Sequence, residues 1–200
     1  MFFATEGTLS GTPLSTHANP NTFTVQVADG YGGTDTAMLN IEVLLIPTVT
    51  FNGSAGTTIN TAGNWTPSIL PKTTSSYQGI VPNGFATTYA ARDLDDYQVA
   101  YTGNSRLTMG DAAPRLNRCI LTFNDTSSFN ATGNMQLGAF NDGVSILTLN
   151  DSASFVSGGE IYIRDANSAD GVAVHQNGGT LTAAGNLQWQ SGKLAIYALS

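Results

Sequence analysis

The chain is short of charge, cysteine, histidine and long apolar runs, and each shortage removes a class of function. Only 10% of its 200 residues are charged, with 7 Lys and Arg against 14 Asp and Glu, a formal net charge of −7. Nucleic-acid phosphates demand a basic face, so this balance argues against a nucleic-acid partner. The single cysteine, Cys119, rules out an internal disulfide and leaves the redox compartment unread. It is expected to be a small buried thiol at a strand edge. Two histidines, His17 and His175, have no Cys or His at metal-ligand spacing, and no zinc pattern, phosphate loop or nucleophile elbow occurs. Neither a metal nor a cofactor is therefore expected. No stretch approaches the ~18 apolar residues of a membrane helix. The opening "MFFATEG" lacks the basic start and apolar run of a secretory signal.

What is present is glycine, at 22 positions, and enough apolar residues (41%) to build a core, solvated by Thr, Ser and Asn. This profile suits many short strands joined by Gly and Asn turns, and it resembles the composition of bacterial surface proteins. The first clear pattern is "TFTVQVADGYGGTDTAMLNIEVLLI". Phe23, Val25 and Val27 alternate with polar residues, as do Ala37, Leu39, Ile41 and Val43, and Gly30, Gly32 and Gly33 lie between the two runs. Period-two alternation around a glycine turn predicts a β-hairpin. With "GTLSGTP" upstream, the stretches "FTVQVADGYGG" and "AMLNIEV" resemble the last half of a bacterial cadherin-like or immunoglobulin-like module. The resemblance implies a β-sandwich, which needs around seven strands. About three are visible, so residues 1–46 are expected to be the C-terminal part of a module in a longer chain. Cadherin junctions hold calcium, which the resemblance would place at Asp29. The adjoining "LLIPTVTF" supplies no further acid, and calcium takes six to eight oxygens, so a turn-capping Asp29 is the favoured reading.

Residues 47–104 read as a linker and an irregular entry to a β-helix. Within them "GNWTPSILP" (Gly63 to Pro71) resembles the opening of β-helical repeats in bacterial surface and autotransporter-type proteins. The decisive pattern is a spacing of 26 across residues 105–200. Cys119 to Gln136, Ser145 to Tyr162 and Gly171 to Gln188 align, with Phe129, Phe155 and Leu181 in one column. Gly133, Gly159 and Gly185 form a second, Met135, Ile161 and Leu187 a third, and Leu137, Ile163 and Trp189 a fourth. Asn124, Asn150 and Gln176 form a fifth, predicted to stack as an amide ladder.

A unit of 26 residues is too short for a propeller blade and shows no helical side, whereas three strands with Gly and Asn corners make one coil of a solenoid. The expected fold is all-β, a right-handed parallel β-helix of 26-residue coils after the partial sandwich. "RLTMGD" should be an earlier coil, its Leu107 and Met109 lying 28 residues before Met135 and Leu137, with "DAAPRLNR" protruding as a loop. In the third copy Val172 and Val174 replace Leu147 and Leu149 one residue out of step. A bulge should return them to the core and leave His175 facing solvent.

For chemistry, β-helices that cleave polysaccharide set acids and a base on one outer face. The candidates here are Asp111, Arg164, Asp165 and Lys193, weighed against a role as solvated turn residues. Asp125 and Asp151 stack on adjacent coils and should either splay into water or share a cation. No catalytic, cofactor-binding or metal residue is assigned. Sequons at Asn52, Asn64, Asn124, Asn130 and Asn150 are at the density this composition gives by chance. A threonine face for ice breaks at the third step of Thr122, Thr148, Val174. The expected function is structural and adhesive, within a large secreted or cell-surface bacterial protein. Its partners would be extracellular polysaccharide or another cell surface. The alternative is a polysaccharide-binding or polysaccharide-degrading module, whose only visible exposed-face candidate is Tyr162 between Gln136 and Gln188. The last line, "SGKLAIYALS", stops partway through a coil, so further coils are expected beyond it.

Overall fold

The computed structural model describes residues 19–43, 46–138, 144–165, 171–191 and 195–199. The chain divides into two compact units, 1–46 and 47–200. In the first, β1 (Asn19–Ala28) and β2 (Thr34–Val43) pair antiparallel from Asn19↔Val43 to Ala28↔Thr34. The reversal uses Gly30 and Gly32 at φ +79° and +101°, which a side chain resists. Asp29 caps it: one carboxylate oxygen accepts the N–H groups of Tyr31 (2.8 Å) and Gly33 (3.0 Å). Opposed pairs share a face, so Phe23, Val25, Ala37 and Leu39 form one apolar side. That side stays in water, with Phe23 at 48% and Val25 at 44% exposure.

The second unit is a β-solenoid. It opens with β3 (Thr48–Phe51), the short β4 (Trp65–Thr66) and β5 (Gln78–Val81). Each full coil then has three strands. The first coil is β5, β6 (Ala86–Tyr89) and β7 (Asp93–Asp95), and the second is β8 (Gln98–Tyr101), β9 (Arg106–Met109) and β10 (Arg115–Asn117). The third is β11 (Ile120–Phe123), β12 (Ser128–Ala131) and β13 (Met135–Leu137). In the fourth, the first two strands fuse into β14 (Ser145–Ser157), followed by β15 (Ile161–Asp165). The fifth repeats this with β16 (Val172–Ala183) and β17 (Leu187–Ser191), and β18 (Ala195–Leu199) begins another turn. Third strands form a five-stranded sheet, β17-β15-β13-β10-β7, and first and second strands build the larger one. Apart from β4, every pairing that joins strands among the described residues of this unit is parallel.

Stacking sets like on like. Leu107, Phe129, Phe155 and Leu181 are register partners, and the rings of Phe129 and Phe155 stack at 4.2 Å and 7° with no exposure. Val99, Leu121, Leu147 and Val174 form a second inward column, and Leu94, Leu116, Leu137 and Ile163 a third. Tyr101 stacks on Phe123 at 4.8 Å, its hydroxyl 3.3 Å from Thr87 Oγ1 inside the core.

Three corners turn each coil. The first is left-handed: Gly103, Asp125, Asp151 and Gly178 have φ of 60°, 57°, 57° and 100°. The aspartates stabilise this strained backbone from the coil above. Gly103 N–H donates to Asp125 Oδ2 (2.8 Å), and Asp125 N–H to Asp151 Oδ2 (3.2 Å). The two carboxylates thus neither splay freely nor need a shared cation. Beside them runs the amide ladder. Asn150 Nδ2 donates to Asn124 Oδ1 (2.8 Å), and Asn177 Nδ2 to Asn150 Oδ1 (3.0 Å).

The second corner holds Gly133, Gly159 and Gly185 at ordinary φ. There a Cβ on Gly133 would lie 1.9 Å from Ala112 O, so contact with the coil below excludes side chains. At the third, Asp96 and Arg118 take left-handed φ of 65° and 52°, and the Arg118 guanidinium grips the Asp96 carboxylate at 2.6 and 3.0 Å. That hydrogen bond holds the Asp96 carboxyl below its usual range.

Three expectations are corrected by the register. Gln176 is not in the ladder: β14 and β16 pair at a spacing of 27 from Ser145↔Val172 to Asp151↔Gly178, which brings Asn177 over Asn150 and faces Leu149 with Gln176. A bulge between Asp151 and Ser154 restores 26 at Phe155↔Leu181 and seats Val172 and Val174 inside, with His175 outward beside Thr148. Leu107 and Met109 stack under Phe129 and Ala131, not under Met135 and Leu137. The segment "DAAPRLNR" is no simple loop, because its Arg115–Asn117 is β10 and Leu116 pairs with Leu137.

The ladders also start earlier than the spacing of 26 is visible. Residues 78–101 supply regular strands, but Val99 pairs with Gly79 at a separation of 20 and with Leu121 at 22, against 26 for Leu121↔Leu147. Residues 52–76 are irregular and close the stack. There β4 pairs antiparallel with β3 (Phe51↔Trp65), and the buried Trp65 ring meets Phe51 edge-on at 5.2 Å. Its Nε1 donates to Ile59 O at 2.9 Å.

Two substitutions test this packing. Phe155→Ala should remove a ring from the middle of its column and cost roughly 3–5 kcal/mol. Hydrogen exchange should then show lost protection centred on the third to fifth coils and unchanged protection in residues 19–43. Gly133→Ala should cost roughly 1–3 kcal/mol, since a backbone carbonyl must move. Gly110→Ala, with nothing within 4 Å of the added carbon, should stay within about 0.5 kcal/mol by thermal melting.

Candidate functional site

A solenoid offers function its outer faces, because alternate residues of every strand point away from the core. On the five-stranded sheet the inward positions are Leu94, Leu116, Leu137 and Ile163, so their neighbours one residue earlier face out. Pairing lines these up as Asp93, Arg115, Gln136, Tyr162 and Gln188, one per coil. Neighbouring members are about 4.8 Å apart along the solenoid axis. All five are half-buried.

Two parts of this column differ in character. At the Tyr162 end the polar groups are held tightly. Glu160 receives the Tyr162 hydroxyl on one oxygen and, on the other, Asn186 Nδ2 (3.2 Å) and Gln188 Nε2 (3.1 Å). Glu160 N–H in turn donates to Asn134 Oδ1 of the coil below at 2.9 Å. The hydrogen bond from Tyr162, aided by those from Asn186 and Gln188, keeps the Glu160 carboxyl below its ordinary range. At the other end two opposite charges form an ion pair. Asp93 Oδ1 lies 3.6 Å from Arg115 Nε, beyond hydrogen-bond range. Both Asp93 Oδ1 and Gln136 Oε1 are buried acceptors that meet no donor among the described residues.

Next to this column, at the third corner, Asp95 Oδ1 accepts Asn117 Nδ2 at 2.9 Å, and Lys72 Nζ lies 3.7 Å from the Tyr97 ring centre while bonding the Asp95 carbonyl. Burial lowers the Lys72 pKa. Beneath it Cys119 is buried, its Sγ 3.0 Å from Leu94 O, and burial pushes its thiol up to about 12. A thiol in that state is a packing group rather than a nucleophile.

Two of the residues considered for catalysis, Asp111 and Asp165, lie in different parts of the coil. Asp111 follows β9 at the second corner and caps its own turn, accepting Ala113 N–H at 2.8 Å. Asp165 ends β15 in the other sheet, where the register pairs it with Ser191 and Arg164 with Gln190, so Asp111 and Asp165 share no column. Lys193 and His17 lie outside the described residues. His175 pairs with Thr148, so the outward threonine column ends in histidine rather than in Val174, which is buried. Among the described residues no three His, Cys, Asp or Glu side chains gather to hold a metal, and no helix is long and apolar enough to cross a membrane. The amides of three sequons have structural roles: Asn64 is buried and bonded at both ends, and Asn124 and Asn150 belong to the ladder. The Asp93–Arg115 end of the outer column was missed by sequence reasoning, because those residues precede Gln136 by 43 and 21 positions rather than multiples of 26.

Comparison with known proteins adds a likeness for the first unit. Residues 1–44 match the family model described as "Putative Ig domain". No curated protein and no solved structure matches the chain. The hairpin with its apolar, uncovered side is what one edge of an immunoglobulin-like sandwich presents before its second sheet packs on it; residues 1–44 are thus similar to an Ig-like module and are followed by a β-solenoid.

Proposed function

We propose that this chain is a non-catalytic structural and adhesive piece of a large secreted or cell-surface bacterial protein, in which a cadherin-like or immunoglobulin-like module leads into a β-solenoid stalk. The observation that carries this reading is the continuous stack itself. Five coils share a core of matched columns, closed at one edge by β4 and Trp65. Such a stack is stabilised unit by unit through nearest-neighbour interfaces, which suits an elongated spacer.

Supporting it are the low charge, the Thr, Ser and Asn surface, and the likeness of "GNWTPSILP" to β-helical repeats of autotransporter-type proteins. The chemistry points the same way. Of the candidate acids, Asp111 caps its own turn and Asp165 ends β15 in the other sheet, and the Asp96–Arg118 pair and the buried Cys119 thiol serve the stack.

Antibodies raised against the chain should label intact cells of the source organism, and external protease should remove the signal. Labelling that appears only after lysis would refute the surface assignment. In parallel, incubation of the chain with polygalacturonate should give no unsaturated product by ultraviolet absorbance; steady product formation would overturn the non-catalytic reading.

A further inference from the structure

We propose that Asn83–Gly84, in the turn between β5 and β6, is a site of spontaneous covalent modification. Water converts the Asn83 amide to aspartate and iso-aspartate, and the iso-aspartate form unfastens the first coil from the corner above it.

The chemistry needs an asparagine followed by a residue that lets the main chain fold back onto the side chain, and glycine does so most readily. The glycine nitrogen, deprotonated by solvent base, attacks Cγ of the asparagine. A new N–Cγ bond closes a succinimide ring, and the Cγ–Nδ2 bond breaks to release ammonia, which takes up the proton. Water then opens the ring at one carbonyl or the other. One opening leaves aspartate. The other leaves iso-aspartate, whose main chain runs through Cγ and is longer by a methylene.

Three Asn–Gly pairs occur in the sequence: Asn52–Gly53, Asn83–Gly84 and Asn177–Gly178. All three asparagines are exposed, so access to water does not choose among them. Hydrogen bonding does. Asn52 is held at both ends of its amide, where Oδ1 accepts Ser54 N–H at 2.9 Å and Nδ2 donates to Thr66 Oγ1 at 2.6 Å. Asn177 donates from Nδ2 to Asn150 Oδ1 at 3.0 Å, and the parallel register also pairs it with Asn150 and Gly178 with Asp151. Asn83 and Gly84 belong to no strand. Among the described residues the Asn83 side chain has one bond, from Asn104 N–H of the next coil to Oδ1 at 2.9 Å. Nothing among them holds the Gly84 N–H, and the space where a Gly84 Cβ would stand is open. The attacking nitrogen and the departing amide are thus both unrestrained. The bond to Oδ1 draws electrons from Cγ, which favours attack.

That same bond gives the reaction a structural consequence. A Cβ at Gly103 would strike Asn83 Oδ1, so this side chain packs against Gly103 as well as bonding Asn104 at the corner above. Aspartate keeps an oxygen in that place and can accept the same N–H. Iso-aspartate carries its carboxylate directly on Cα, which shortens the side group while the main chain lengthens, and the contact is lost.

The whole chain, aged in warm, mildly alkaline buffer, tests the site by peptide mass spectrometry and an iso-aspartate assay. Trypsin separates the three pairs, because cuts after Lys72 and Arg92 leave Asn83 as the only asparagine of residues 73–92. In the folded chain Asn83 should convert about tenfold faster than Asn52 or Asn177, whereas in guanidinium chloride the three should converge to within about threefold. Conversion at Asn52 or Asn177 that matches or outpaces Asn83 in the folded chain would overturn the assignment. Hydrogen exchange reads the consequence: protection of residues 103–105 should fall in proportion to iso-aspartate, and the Asn83→Asp variant should keep it. Full protection in a chain rich in iso-aspartate, or equal loss in Asn83→Asp, would overturn the unfastening.

Discussion

In-register parallel pairing between successive coils is the constraint on which everything else in the solenoid depends. With strands about 4.8 Å apart, the nearest neighbours of a side chain are its own equivalents above and below. Each position must therefore tolerate a copy of itself. Phenylalanine does so by stacking flat, as Phe129 and Phe155 do. Asparagine does so by donating with one end of the amide and accepting with the other. Aspartate cannot pair with itself, and Asp125 and Asp151 escape the like-charge contact by each turning to a backbone N–H of the coil below.

The same constraint explains the unusual backbone at the corners. Left-handed φ costs a non-glycine residue roughly 1 kcal/mol or more, yet Asp96, Arg118, Asp125 and Asp151 all adopt it. Every one of them is fixed by a partner one coil away: Arg118 grips Asp96, and the Asp125 and Asp151 carboxylates are bonded from below. Strain within a coil is thus balanced by contacts between coils, so a coil on its own has no reason to keep its shape.

How much of this was legible in the sequence depends on loop length. The columns of Phe129, Met135 and Leu137 could be read directly because three coils keep 26 residues between equivalents. Leu107 and Leu94 belong to the columns of Phe129 and Leu137, and Val99 to that of Leu121, but separations of 20 to 22 hide them from any fixed spacing. Gln176 was misread for the opposite reason. An extra residue upstream shifts the first half of β16 to a spacing of 27, and Asn177 takes the ladder position instead. On the outer face, Tyr162 with Gln136 and Gln188 could be seen from the sequence, whereas Asp93 and Arg115 could not. Nor could the sequence show that Asp111 caps a turn, because strand order alone does not say at which corner a residue falls.

The antiparallel β4 gives the stack a direction. A parallel strand edge can accept another parallel strand, but β3 already has β4 bonded along its outer side, with Trp65 beneath. A further parallel strand cannot pair with Thr50 and Phe51 at this edge without displacing β4. Coil length varies along the stack: coils beside the closure are spaced by 20 and 22 residues, while the third and fourth share the 26-residue wording "CILTFNDTSSF" and "SILTLNDSASF". The register thus tolerates changes of several residues in coil length, provided that they fall in the corners and leave the strands paired.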